Sequence, residues 1–203
     1  MTIPAMFSRE DPKALEIWER STVAIAGAGG IGSVVAVSLA RSGIGKLIIA
    51  DFDVVEPTNL NRQQYFQDQV GMAKVVALHD NLHRINPFCR YEMHHALVTE
   101  ENIAELFGSA DIMIEAFDRA DQKEMLIETW QSLFPAKPII VASGVAGWGK
   151  TEMLHVHQSG NLYICGDEKS ELEGNYTPLA PRVGIVANMQ ANIALELLME
   201  IHT

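Results

Sequence analysis

Thr22-Val23-Ala24-Ile25-Ala26-Gly27-Ala28-Gly29-Gly30-Ile31-Gly32 is the stretch whose reading decides the fold. Thr22 to Ala26 is a short apolar run with the length of a buried strand. Gly27 to Gly32 is a glycine-rich turn, and Val34 to Arg41 reads as a helix that Gly43 closes as a C-cap. Leu47 to Ala50 is a second buried strand, ending at Asp51. Strand, glycine turn, helix and strand in that order make a βαβ unit, which implies a parallel sheet and a right-handed crossover.

The alternation extends outward on both sides. Upstream, Asp11 to Arg20 reads as a short amphipathic helix, with Pro12 in its first turn and Leu15 and Trp18 on one side. Downstream, Gly71 to Ile85 is a helix pattern stopped by Pro87, and Arg90 to His94 is a candidate strand. Thr99 to Phe107 reads as a helix capped by Thr99, Asp111 to Glu115 as a strand, Gln122 to Leu133 as a helix, and Pro138 to Ala142 as a strand. Together these predict a doubly wound, mainly parallel, Rossmann-like α/β sheet. After Gly144 the style changes. Thr151 to His157 and Asn161 to Cys165 predict an antiparallel hairpin around Ser159-Gly160. Asp167 to Asn175 is a polar loop, and Val183 to Ile201 is a long apolar final helix. No repeat or linker interrupts residues 1–203, so one domain is expected.

Composition narrows the function classes. The chain has 203 residues, 48% hydrophobic and 20% charged, with a net charge of -11. Such an acidic chain is not expected to bind a phosphate backbone, which excludes nucleic acid as the first-choice partner. Its two cysteines, Cys89 and Cys165, form no CxxC pair, so neither a disulfide framework nor a structural zinc is expected. Met1 to Phe7 lacks a signal-peptide pattern, and no apolar run approaches the ~20 residues of a membrane span. The cytoplasm is the expected location.

Glycines let a backbone approach a phosphate, and the following helix N-terminus adds free N–H groups, so Gly27, Gly29, Gly30 and Gly32 point to a nucleotide. Asp51, at the end of the second strand, stands where a carboxylate commonly bonds ribose hydroxyls. Asp53 is either a second acidic contact or a cap of the following loop. An NAD(P)-dependent oxidoreductase would explain the glycines and Asp51 equally well. It would not explain Asn59-Leu60-Asn61-Arg62-Gln63-Gln64 followed by Gly71-Met72-Ala73-Lys74. Arg62 and Lys74 are two cations just beyond the nucleotide loop, as a triphosphate under attack at its α-phosphorus requires. Lys74 also lies in the first turn of its helix, where a lysine opposes the macrodipole.

Gly27–Gly32, the run from Asp51 through Arg62-Gln63, and Gly71 with Lys74 closely resemble the ThiF/MoeB family, bacterial relatives of ubiquitin-activating enzymes. The likeness runs from about Ser21 to the C-terminus and is greatest to the short "family 2" ThiF group. The resemblance implies MgATP-dependent adenylylation of the C-terminal Gly-Gly carboxylate of a ubiquitin-like sulfur-carrier protein of the ThiS kind, in thiamine biosynthesis. It further implies Gly29 and Gly30 on the phosphates, Asp51 on the ribose, Asn59, Arg62 and Gln63 around the phosphate site, and Lys74 near the reacting centre. Asp118 matches the family's magnesium aspartate, with a helix N-cap as its competing role, and Arg9, with Arg20 in reserve, would act from the partner subunit of a homodimer.

The pattern departs from the long members in two ways. Their two zinc-binding CxxC pairs are missing, and the stretch Tyr176 to Arg182, where they carry a cysteine, has none. Cys89 and Cys165 are expected to be structural, so a covalent step on this chain is not expected. The partner's tail would run along Gly144–Gly149, Tyr176 and the Asp167–Asn175 loop, and Met189 and Met199 belong either to the core or to a dimer surface. The remaining alternatives are a relative of the tRNA threonylcarbamoyladenosine dehydratases, an oxidoreductase, and a nucleotide sensor without catalysis.

Overall fold

The computed structural model describes residues 5–170 and 177–202. Tyr176 and the 171–175 part of the expected loop lie outside the described residues. The elements are α1 (Pro12–Arg20), β1 (Thr22–Ala26), α2 (Gly30–Arg41), β2 (Lys46–Ala50), α3 (Lys74–Ile85), β3 (Arg90–His94), α4 (Ile103–Phe107), β4 (Ile112–Glu115), α5 (Ala120–Leu133), β5 (Ile139–Ser143), β6 (His155–Ser159), β7 (Leu162–Gly166) and α6 (Ala180–His202). Short 3-10 turns punctuate the loops at Ala5–Phe7, Pro57–Asn59, Gln67–Gln69 and Thr151–Met153.

These strands form one seven-stranded sheet in the order β3-β2-β1-β4-β5-β7-β6. All neighbours run parallel except β6 and β7, which pair antiparallel. The chain builds β1, β2 and β3 outward in one direction, then returns to lay β4 beside β1 and continue the other way. Between β1 and β4 the order reverses, and open α/β sheets bind ligands beyond the strand ends at that point.

Strand periodicity decides the two cores. Val23 and Ile25 of β1, Leu47 and Ile49 of β2 and Ile140 of β5 face the layer of α2, α3 and α6. Their neighbours Ala24, Ala26, Ile48, Ala50 and Ile139 face the layer of α4 and α5, against Ile103, Phe107, Leu126 and Trp130. With both faces covered, these strands read as continuous apolar runs with no alternation. Each fully buried Leu or Ile contributes roughly 1.5–3 kcal/mol, so a one-residue register slip would be costly on every strand. Asp11 caps α1 by accepting from Lys13 N at 2.8 Å, and Trp18 Nε1 reaches back to Leu195 O at 3.3 Å, fixing α1 on α6.

Several boundaries differ from the sequence expectation. β6 begins at His155 because Thr151–Met153 forms a 3-10 turn, α5 begins at Ala120, and α6 begins at Ala180. α2 begins at Gly30, not Val34, because the glycine turn already contains its first helical turn. α3 begins at Lys74, not Gly71, because Gly71 N and Lys74 N bond Val55 O and Asp53 O, which holds 71–74 beside 53–55. α4 begins at Ile103, since Asn102 Oδ1 accepts from Thr99 N in a separate turn, and Thr99 is not its cap. The hairpin turns on Gly160-Asn161, one residue later than expected, with Ser159 opposite Leu162 and Gly160 at φ 59. No helix among the described residues is long and apolar enough to cross a membrane.

Candidate functional site

A cleft of about 820 Å³ opens at the C-terminal edge of the sheet, above the junction of β1 and β4. It is lined by Gly27, Gly29, Gly30, Asp51, Arg62, Gln63, Lys74 and Asp118, which come from separate parts of the sequence. Gly32, Asn59 and Arg9 are not on its wall.

The floor is the glycine turn. Gly27 has φ 102, and a Cβ there would stand 2.7 Å from Ala116 O, so the turn can press against the end of β4 only without a side chain. Gly32 serves packing: its added Cβ would lie 1.8 Å from Gly27 O. Asp51 bonds the same turn, its Oδ2 accepting from Ala28 N at 2.7 Å and its Oδ1 from Asp53 N at 2.8 Å. Tyr65 closes the underside by donating to Ala28 O at 2.7 Å. Burial, reinforced by Asp51 and Asp53, pushes the Tyr65 phenol well above its ordinary value, so it stays a donor.

The cations stand on one side of this floor. Arg62 lies over Gly30 and donates to Thr58 O at 3.1 Å and Asn61 Oδ1 at 2.8 Å. Asn59 supports that loop from below, accepting from Glu56 N at 3.0 Å, and is itself buried. Lys74 is only 6% exposed, and its Nζ meets Asp53 Oδ2 at 2.8 Å. Asp53 is thus the partner of Lys74 and takes one of its three N–H donors. The N-termini of α2 and α3 converge beside these cations, which adds to a positive potential suited to an anion. Gln63 lines the cleft but is buried, with no hydrogen-bond partner for Oε1 among the described residues.

Opposite the cations, Asp118 is exposed on the loop after β4. It does not cap α5: Arg119 holds the cap position, without a side-chain cap bond. Behind it stands an ion pair that the motif reading did not include. Glu115 is completely buried, and Lys123 Nζ reaches its two oxygens at 2.9 and 2.8 Å and Ala142 O at 3.2 Å. Burial pushes the Glu115 carboxyl up, against the pull of Lys123 and of Phe117 N at 2.6 Å. Gln190 of α6 donates to Glu115 O and Ile140 O, both at 3.2 Å, and ties β4 to β5 from the other face. The available signals were a charged residue ending an apolar strand, and two polar residues, Arg182 and Gln190, eight apart on an otherwise apolar helix face.

Neither cysteine is at the cleft. Cys165 is fully buried on β7 and Cys89 nearly so, and burial pushes both thiols up to about 12. Both are structural, as expected. Arg9 lies in an exposed turn, and Arg20 donates to His202 O at 3.1 Å on the surface.

The profile described as "ThiF family" matches residues 4–203. The chain belongs to the ThiF family. Among its relatives it is 30% identical over 190 residues to the adenylyltransferase and sulfurtransferase UBA4 of Eremothecium gossypii, covering 89% of this chain and 42% of that protein. It is 37% identical over 117 residues to the tRNA threonylcarbamoyladenosine dehydratase of Escherichia coli, covering 57% of this chain and 44% of that protein. The chain therefore spans less than half the length of these curated relatives. The fold superposes on the E. coli tRNA N6-threonylcarbamoyladenosine dehydratase TcdA in complex with ATP with a TM-score of 0.86, at 22% identity, over 96% of this chain and 92% of that one. The family fold is thus built here on the residues described above.

Proposed function

We propose that this chain uses MgATP to adenylylate the C-terminal carboxylate of a ubiquitin-like sulfur-carrier protein. The observation that carries the reading is one cleft in which a glycine turn, the Asp51 carboxylate, two cations and an open carboxylate surround the strand switch point. An NAD(P) oxidoreductase needs the first two but has no use for Arg62 and a nearly buried Lys74.

In this reading the phosphates lie on the backbone of Gly29 and Gly30, with Gln63 beside them, and the ribose hydroxyls donate to Asp51. A carboxylate oxygen of the carrier forms a bond to the α-phosphorus while the bond to the bridging oxygen of the β-phosphate breaks, and pyrophosphate leaves. The attacking carboxylate is already ionised at neutral pH, so no general base is needed. Arg62 and Lys74 offset the charge developing at phosphorus. The donor set also fits magnesium, which is characteristically held by one or two carboxylates, phosphate oxygens and water, and Asp118 is an exposed carboxylate on this wall. Magnesium would neutralise the phosphates and hold them in line. Arg9 would reach the site from a second copy in a homodimer, and with both cysteines buried away from the cleft this chain would release the acyl-adenylate without forming a thioester.

The relatives named adenylyltransferase support the activity. A ThiS-like carrier in thiamine biosynthesis, in the cytoplasm, is the finer assignment, supported by residues 1–203 carrying no CxxC pair. The 37% identity to the tRNA threonylcarbamoyladenosine dehydratase favours an RNA-linked substrate as the second reading, and a net charge of -11 opposes it. The test is mass spectrometry of ThiS-like carriers incubated with the protein and MgATP. An AMP adduct on the carrier supports the reading. Adduct-free carriers, with Arg62→Ala retaining wild-type ATP–pyrophosphate exchange, would sink it.

A further inference from the structure

The wall of the cleft farthest along the chain is held by a pair of side chains that no part of the reaction above uses. Arg182, in the first turns of α6, is 4% exposed. Its Nη1 donates to Gly149 O at 2.8 Å, and its Nη2 donates to Asp167 Oδ2. Asp167 also accepts from Lys169 N at 3.0 Å, Ser170 N at 2.8 Å and the Ser170 hydroxyl. Three segments meet on this pair: the turn after β5, the turn after β7 and the start of α6. Gly144 is packed so close that an added Cβ would stand 2.0 Å from Asp167 Oδ1, and it has φ 75. Ser143, Gly144, Val145, Ser170 and Pro178 carry this wall into the cleft.

Burial alone would raise the Asp167 carboxyl, but the bonds from Ser170 and Lys169 and the Arg182 charge hold it below its ordinary value. The pair is therefore an internal brace with its charges neutralised, and is unsuited to binding phosphate. Among the described residues its bonds go to Gly149, Lys169 and Ser170, and none goes to Gly27–Gly32, Asp51 or Lys74. The glycine turn is held by a separate set, Asp51 and Tyr65.

We infer that Arg182 and Asp167 are positioning residues that set the shape of the channel for the carrier's C-terminal tail, independently of nucleotide binding. The inference rests on the acyl-activation reading. An extended tail entering between Val145 and Pro178 would meet backbone whose course this pair fixes, and a small misplacement of that backbone misaligns the attacking carboxylate.

The test compares wild type with Arg182→Lys, which keeps the charge but loses the two-pronged geometry, and Asp167→Asn, which keeps the shape but loses the charge. The expected result is a rise in the KM for the carrier of about tenfold to a hundredfold, with the Kd for ATP unchanged by calorimetry. Hydrogen exchange should quicken at 144–149 and 166–170 and stay unchanged at 27–32. A parallel loss of ATP affinity, or no change in either constant, overturns the inference. So does melting of both variants with the loss of ATP binding, which would make the pair a prop of the whole fold. A wild type that adenylylates no carrier removes the functional reading alone; the exchange pattern then still decides whether the pair braces this wall separately from the glycine turn.

Discussion

In the cradle formed by the glycine turn, Asp51, Arg62 and Lys74, polar side chains keep binding capacity facing the cleft. Lys74 spends one donor on a half-exposed Asp53, and the half-buried Arg62 bonds its own loop at Thr58 and Asn61. In the wall formed by β4, β5 and α6, polar side chains spend their bonds on backbone and on one another, with Arg182 Nε and Gln190 Oε1 left unpaired among the described residues. Lys123 gives its donors to Glu115 and Ala142, and Arg182 grips Gly149 and Asp167. The difference separates two uses of charge at one sheet edge. Charge in the cradle is held ready for a ligand, and charge in the wall fixes backbone. Substitutions in the first should therefore lower activity before stability, and substitutions of Lys123 and Gln190 in the second should do the reverse, while Arg182 and Asp167 act on the carrier's channel.

The largest test of that division is Lys123→Met, which leaves Glu115 buried without its partner. Removing one member of a buried pair costs about 3–5 kcal/mol, which urea unfolding should read as a lowered midpoint. A near-wild-type midpoint would break the distinction. Lys74→Ala should do the opposite: exchange of pyrophosphate into ATP falls by about 10²–10³-fold while the unfolding midpoint stays near wild type, since Asp53 is left in contact with solvent. Gln190→Met removes two donors from strand-end carbonyls and should lower unfolding free energy by about 1–2 kcal/mol, with the ATP Kd unchanged.

The smallest effect concerns pH. His155 on β6 is raised above its ordinary value by its hydrogen bond to Met153 O and by Glu168, whose Oε1 is 3.0 Å away. Its folded pKa exceeds the unfolded one, so its contribution is complete below the unfolded value and is lost as pH rises through the folded value. His155→Gln should flatten the melting-temperature profile across that window and leave the acid side lower than wild type. An unchanged profile would show the contact to be energetically idle, as exposed pairs often are.

Much of the cradle was legible because it is written in short range. Gly27–Gly32 follows a strand and opens a helix, and Asp51 ends the next strand, so local pattern places them together once the βαβ unit forms. Arg62 and Lys74 could be singled out as charges in conspicuous places, and both line the cleft. Gly32 and Asn59 share that motif but turn inward, to a backbone contact and a loop cap. Motif membership does not distinguish a residue that faces the ligand from one that shapes the loop presenting it.

By itself the sequence determined the alternation of elements, the parallel sheet with its antiparallel extension, the family and the place of the glycine turn. Those depend on residue period and on backbone preferences a few residues long. Only the tertiary structure decided that Asp53 partners Lys74, that Lys123 is tied to a buried Glu115, and that Arg182 joins three distant segments through Asp167. Such pairings depend on where separate elements land after packing. A buried charge is tolerated only where that packing supplies its partner.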